Sequence, residues 1–152
     1  MKERFSATNR KAFRDYTILE TFECGIELKG SEVKSIRAGN VNLKDSFARI
    51  EGKEFFLYNM HISPYEQASY LNVAPTRTRR LLLHNAQIQR LSNEVNQKRL
   101  TLVPLKLYFN KRGFVKLELA LTKGKRLYDK REALKKKEIN LEIKRALRRK
   151  DR

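Results

Sequence analysis

Two histidines, one cysteine and 35 lysines and arginines are what this 152-residue sequence offers for chemistry. His61 ends an alternating, strand-like run, and His84 stands just before a helical one. Neither neighbours an obvious nucleophile, so neither is placed to act as a general base. Cys24, between Glu23 and Gly25, reads as a small buried apolar side chain. As the lone cysteine it can form neither an internal disulfide nor a thiolate metal cluster. Lys29-Gly30-Ser31 lacks the first glycine and the spacing of a phosphate-binding loop. A nuclease would need a metal cluster or a histidine pair with acids, and neither can be assembled. The sequence therefore points away from an enzyme, and no cofactor or metal is expected.

Cationic chemistry is the real signal. Arg77, Arg79 and Arg80 read as a loop leading to Leu81-Leu82-Leu83. Lys34 and Arg37 are three positions apart on a short predicted helix and share a face. Lys123, Lys125 and Arg126 surround Gly124 after the last predicted strand. Such side chains hold phosphates without reading sequence, and aromatics such as Tyr70 or Tyr128 can stack on bases. The 35 basic residues face 17 acidic ones, a net charge of +18. Solubility needs a net charge of only roughly 2–8. The excess points to a polyanion, above all nucleic acid. Acidic lipid fits less well. No apolar run approaches the ~20 residues of a membrane span, and the apolar stripe near the C-terminus lacks Trp or Phe. Residues 1–5 lack a signal-peptide core, and with one cysteine the reading is cytoplasmic and reduced.

The elements that must position these groups follow from periodicity. Val103, Leu105, Leu107 and Phe109 are expected on one face of a strand, with Pro104, Lys106, Tyr108 and Asn110 on the other. Lys111-Arg112-Gly113 is a turn. The next strand puts Val115, Leu117, Leu119 and Leu121 inward and Lys116 and Glu118 outward. A second hairpin is expected over 46–51 and 54–62, turning at Gly52, with an early strand at 16–23 and a short one through Ile26 and Leu28. Ser31 is read as the cap of a helix over 32–38 that stops at Gly39. Asn85 is read as the cap of another over 86–97, carrying Ile88, Leu91 and Val95 at helical spacing. The stretch 63–80 is read as a long irregular loop. The fold class is mainly β: a small antiparallel barrel with short peripheral helices. Residues 123–152 hold 14 basic and 5 acidic residues, a net +9, against 21 and 12, also +9, over residues 1–122. This contrast divides a folded body, 1–122, from a basic tail, 123–152. Ile139, Ile143, Ala146 and Leu147 form one helical stripe in a tail expected to be mobile when free and helical when bound.

Five blocks, in order, carry a family resemblance. They are Glu23-Cys24-Gly25-Ile26; Lys29-Gly30-Ser31-Glu32-Val33-Lys34-Ser35-Ile36-Arg37-Ala38-Gly39; Val41-Asn42-Leu43-Lys44-Asp45-Ser46; Pro75-Thr76-Arg77-Thr78-Arg79-Arg80-Leu81-Leu82-Leu83-His84; and Gly124-Lys125-Arg126-Leu127-Tyr128-Asp129-Lys130-Arg131. They resemble the small protein B (SmpB) family, the partner of transfer-messenger RNA in bacterial trans-translation. The resemblance implies an oligonucleotide-binding-like β-barrel whose body binds the tRNA-like domain of that RNA. It implies an RNA-binding surface at or near Asn9, Glu23, Gly25, Lys34, Arg37, Arg79, Arg80, Leu82, Lys123, Lys125 and Arg126. Tyr128, Asp129, Lys130 and Arg131 match the start of a tail that enters the decoding centre and the empty mRNA channel. The implied partners are transfer-messenger RNA and the ribosome, through the 16S rRNA of the small subunit, with no membrane and a monomeric chain. One departure stands before Pro75. The family commonly has an acidic residue and a nearby His there, where this chain has Asn72-Val73-Ala74.

Overall fold

The computed structural model describes residues 6–66, 73–124 and 127–150. Strand β1 (Ser6–Thr8) leads through helix α1 (Arg10–Asp15) to the long strand β2 (Tyr16–Ile26). Helix α2 (Gly30–Arg37) and strand β3 (Val41–Asn42) follow, then β4 (Phe47–Glu51), β5 (Glu54–Tyr58), β6 (His61–Ile62) and β7 (Arg79–Leu82). Helix α3 (Asn85–Lys98), β8 (Thr101–Phe109), β9 (Val115–Gly124) and helix α4 (Leu127–Lys150) complete the order. Six strands close an antiparallel ring, β8-β4-β5-β7-β2-β9 and back to β8. Strand β1 shares with β4 the edge of β8 that faces away from β9. Closure leaves the inward side chains a single interior, filled by Cys24, Phe55, Leu57, Leu81, Leu107, Leu117 and Leu119. Ile36 of α2 and Leu91 of α3 are buried in the same core. The mainly β, small closed barrel with peripheral helices is thus what the chain forms.

The β8–β9 hairpin pairs from Phe109 opposite Val115 to Thr101 opposite Thr122, with one shift of register on the way. Its turn uses Gly113 at φ +85°, a conformation only glycine adopts without strain. The β4–β5 hairpin turns at Gly52 as expected. It ends sooner than expected. Asn59 takes φ +64°, so His61 and Ile62 leave the ring and pair with β3. Gly39 (φ +85°) follows α2 as its stop.

Several expectations are corrected. Val103 and Leu105 do not share a face with Leu107 and Phe109. A bulge between Pro104 and Lys106 turns them to the opposite side, where they pack with Ala12 and Ala120 beneath α1. A matching bulge between Ile18 and Glu20 does the same to β2 on the other flank of β9. The early strand does not break before Gly25 but runs unbroken to Ile26. Arg79 and Arg80 lie in strand β7, not in a loop. Neither Ser31 nor Asn85 is a cap: Lys29 and His84 hold those positions. Strand β9 carries on to Gly124, so Lys123 is a strand residue opposite Thr17. Strand β1 and helix α1 were not legible as elements at all.

One buried charge cluster locks the fold together. The Glu32 carboxylate, 3% exposed, accepts from Arg79 Nε at 2.6 Å, from Arg77 and from the Lys29 backbone N–H at 2.9 Å. Arg79 is fully buried and donates onward to the Met60 and Pro75 carbonyls at 2.7 and 3.1 Å. A buried ion is tolerated only when its hydrogen-bonding capacity is met this fully. Helix α2, strand β7 and the segments around Met60 and Pro75 are thereby tied to one carboxylate. Asn9 does similar work for α1. Its Oδ1 caps the Ala12 N–H, and its Nδ2 donates to the Leu43 and Pro104 carbonyls.

Burial alone would raise the Glu32 carboxyl pKa, but hydrogen bonds from Arg77, Lys29 and Arg79 outweigh it and hold it below the ordinary value. A lowered folded pKa means the stabilisation is complete above the unfolded value of about 4.3. It drains as pH falls through the folded value. Glu32→Ala, which leaves Arg79 buried without its counter-ion, is expected to cost about 3–5 kcal/mol of unfolding free energy at neutral pH, read from urea midpoints. Glu32→Gln should lose the acid-range fall that this one group contributes, seen as a smaller stability difference from wild type at pH 3 than at pH 7.

Candidate nucleic-acid interface

The outer side of the barrel is divided by the two bulges. On one half α1 covers the sheet, with Ala12 packed on Val103, Leu105 and Ala120. On the other half the outward residues of β7, β2, β9 and β8 stand exposed or half-exposed. Strand register gives their order. Gly25 lies opposite Leu82 on one side and Lys116 on the other. Glu23 lies opposite Glu118, Glu118 opposite Lys106, and Lys116 opposite Tyr108.

Three local devices shape this face. A Cβ built on Gly25 would meet Leu82 Cβ at 3.2 Å, so glycine is what lets the Leu82 side chain, 47% exposed, lie against the strand. The Tyr108 hydroxyl donates to the Glu23 carboxylate and fixes its direction. Burial, then that hydrogen bond, pushes the Tyr108 phenol well up, so it remains a neutral donor. Arg80 pairs with Glu54 at 3.3 Å, both about half exposed. Such a pair contributes little, about 0–1 kcal/mol, and leaves the guanidinium available to a phosphate.

Helix α2 adds Lys34 and Arg37, both exposed. The Arg37 guanidinium lies 5.9 Å from the Phe109 ring, next along β8 from Tyr108. Lys34 lies 5.6 Å from the Tyr65 ring. The face therefore combines cations suited to phosphate, a flat apolar spot at Gly25 and Leu82, an acceptor at Glu23 oriented by Tyr108, and a second carboxylate at Glu118. That mix suits a folded RNA, where cations hold the backbone and oriented groups meet base edges.

The expected site residues separate into groups. Glu23, Gly25, Arg80 and Leu82 are brought together, with Lys34 and Arg37 nearby on α2. Lys123 is exposed but lies five residues along β9 from Glu118, roughly 17 Å at strand rise. Asn9 and Arg79 are corrected: at 4% and 0% exposure they have no surface to offer an RNA, and both build the fold instead. Lys125 and Arg126, like Tyr70 and Asn72, lie outside the described residues. Tyr128, Asp129 and Lys130 fall at the start of α4, with side chains outside the described residues; Arg131 is exposed. Lys106, Tyr108, Lys116 and Glu118 were missed as site residues. Their outward alternation was visible, but nothing in the sequence set them beside Glu23 and Gly25. No helix among the described residues is long and apolar enough to cross a membrane.

The comparisons with known proteins agree over almost the whole chain. An SsrA-binding protein of Caldicellulosiruptor bescii is 62% identical over 141 residues, 93% of this chain and 89% of its own. The SsrA-binding protein of Carboxydothermus hydrogenoformans is 59% identical over 146 residues, 96% and 97% of the two chains. Among solved structures, a chain described under "tmRNA-SmpB: a journey to the center of the bacterial ribosome" superposes with a TM-score of 0.69 at 54% identity, covering 85% of this chain and 94% of that one. The model of the SmpB protein family matches residues 6–149. That match begins at β1 and ends in the last turn of α4, so the chain belongs to the SmpB protein family.

Proposed function

We propose that the protein is a non-enzymatic RNA-binding adaptor of ribosome rescue. It binds the tRNA-like domain of transfer-messenger RNA and delivers it to stalled ribosomes for trans-translation, as a monomer in the cytoplasm. The observation that carries this reading is the open half of the barrel's outer face, where Glu23, Gly25, Leu82 and Arg80 meet Lys116 and Tyr108. The names of the relatives supply the RNA. The body, 1–122, is the RNA-binding unit, and Lys123, Lys125 and Arg126 add cations where the tail begins. Binding of the full chain to the tRNA-like domain should far exceed binding to an unrelated hairpin of equal length at physiological salt. It should weaken steeply as salt rises, because each phosphate contact releases counterions. Equal affinities would overturn the reading.

Glu23 separates recognition from charge. Glu23→Ala makes an already basic protein more basic, so simple attraction predicts tighter binding. If the carboxylate held by Tyr108 accepts from base amino groups, binding to the tRNA-like domain should instead weaken by about tenfold, the loss of one charged hydrogen bond. Titration against the same RNA decides between the two signs.

The tail, 123–152, is the part that reaches the ribosome. Tyr128, Asp129, Lys130 and Arg131 meet the decoding centre, and the rest occupies the empty mRNA channel, contacting 16S rRNA. What supports this is α4 itself: 24 residues, with Ile139, Ile143 and Leu147 all more than half exposed on an otherwise charged helix. An apolar stripe left in water is suited to a wall met later. Deleting residues 128–152 should spare binding to the isolated RNA and abolish peptide tagging in a purified translation system. Ile143→Pro, which costs about 3 kcal/mol in a helix interior, should reduce tagging while sparing RNA binding. Full tagging by the truncated chain would remove the tail from the mechanism.

A further inference from the structure

The barrel ring is weakly joined at one point. Strands β4 and β8 pair through a single residue pair, Ala48 opposite Leu102. Beside that junction a groove of about 560 Å³ opens, lined by Phe47, Arg49 and Glu51 of β4 together with Val95, Asn96 and Leu100. Phe47 is only partly buried, and its ring is stacked on that of its cross-strand partner Tyr58, centroids 5.5 Å apart and planes 12° apart. Tyr58 is held in turn by a hydrogen bond from its hydroxyl to Glu51. The exposed Arg49 guanidinium lies 5.6 Å from the Phe47 centroid. Across the strands, Arg49 is opposite Phe56 and Phe56 opposite Arg80. An unbroken row therefore leads from this groove to the interface described above.

We propose that this groove is a second contact point, one that takes an unpaired nucleobase of the bound RNA. The Phe47 ring, braced by Tyr58, supplies a stacking plane. Asn96 supplies an amide that can both donate to and accept from a base edge. Arg49, exposed and lying over the Phe47 ring, is placed to exchange the ring for a base or a phosphate. Base stacking on an aromatic plane flanked by cations is the general solution for single-stranded nucleic acid. The net charge of +18 favours a polyanion over an apolar peptide as the occupant. This site rests on the reading that the chain binds RNA, but not on which RNA it prefers.

The test uses the full chain and two probes: a short single-stranded RNA carrying one 2-aminopurine, and a fully paired RNA hairpin with the same number of phosphates. On the wild-type protein the 2-aminopurine emission should be quenched by stacking. Phe47→Leu should lose that quenching and bind the single strand about tenfold more weakly, with hairpin binding unchanged. Tyr58→Phe, which keeps the ring, should behave as wild type. Arg49→Gln should weaken the single strand more than the hairpin. Asn96→Ala should flatten the order of affinities among A, C, G and U oligomers. Equal losses on both probes would reduce the groove to general charge, and unchanged single-strand binding would leave Phe47 as a strand-pairing residue only; either result overturns the proposal. Should Phe47→Leu prove too unstable to purify, Asn96→Ala decides alone: an unchanged base order overturns it. A wild-type chain that quenches the single strand but shows no preference for the tRNA-like domain would refute the proposed function without touching this site, and a chain with that preference but no quenching would refute this site alone.

Discussion

A single buried carboxylate organises the part of this molecule that carries the candidate interface. Glu32 belongs to α2, which presents Lys34 and Arg37, and it grips Arg79 of β7, whose outward neighbours are Arg80 and Leu82. Because Arg79 also holds the Met60 and Pro75 carbonyls, the connection between β6 and β7 is drawn into the same knot. Burying Glu32 and Arg79 is costly, and the pair persists because each is hydrogen-bonded in a place water does not reach. It fixes two cationic surfaces relative to each other. A more apolar joint could hold α2 on the barrel, but with less control of its direction.

The second constraint is closure. Strand β9 is paired along both edges, with β2 on one side and β8 on the other. Both bulges fall on its neighbours, β2 and β8, rather than on β9 itself. Those bulges reverse which residues face inward, and so divide the outer wall. One half takes α1 and a small apolar cluster of Ala12, Val103, Leu105 and Ala120. The other half is left bare and forms the candidate interface.

The chemistry of that bare half is recognition rather than catalysis. Its titratable groups are spread along strands and either paired with one another or open to water. Tyr108 is kept neutral beside Glu23, and Cys24 is shut in the core, with burial pushing its thiol up to about 12. A thiol so placed is no nucleophile. Cations suited to a phosphate backbone stand beside a carboxylate oriented by Tyr108 and a flat apolar spot at Gly25 and Leu82, and a basic helix follows β9 in the chain.

What the sequence determined by itself was local: the alternation of β9 and of β8 from Lys106 to Phe109, the turns at Gly52 and Gly113, the stop at Gly39, the helical stripe of α3 and the charge excess. Each depends on residues within a few positions of one another. The ordered blocks from Glu23 to Arg131 also made the family visible before any coordinate. Tertiary structure decided the rest. That Arg79 and Asn9 build the fold while Arg80 and Leu82 face outward depends on carbonyls and a carboxylate up to 95 positions away. That Gly25 lies inside a continuous strand depends on Leu82 and Lys116 flanking it. That Val103 and Leu105 face α1 depends on a bulge set by pairing with β9. A charged side chain reads the same in a sequence whether it will meet water, an ion partner or an RNA; only the surroundings that folding assembles tell these apart.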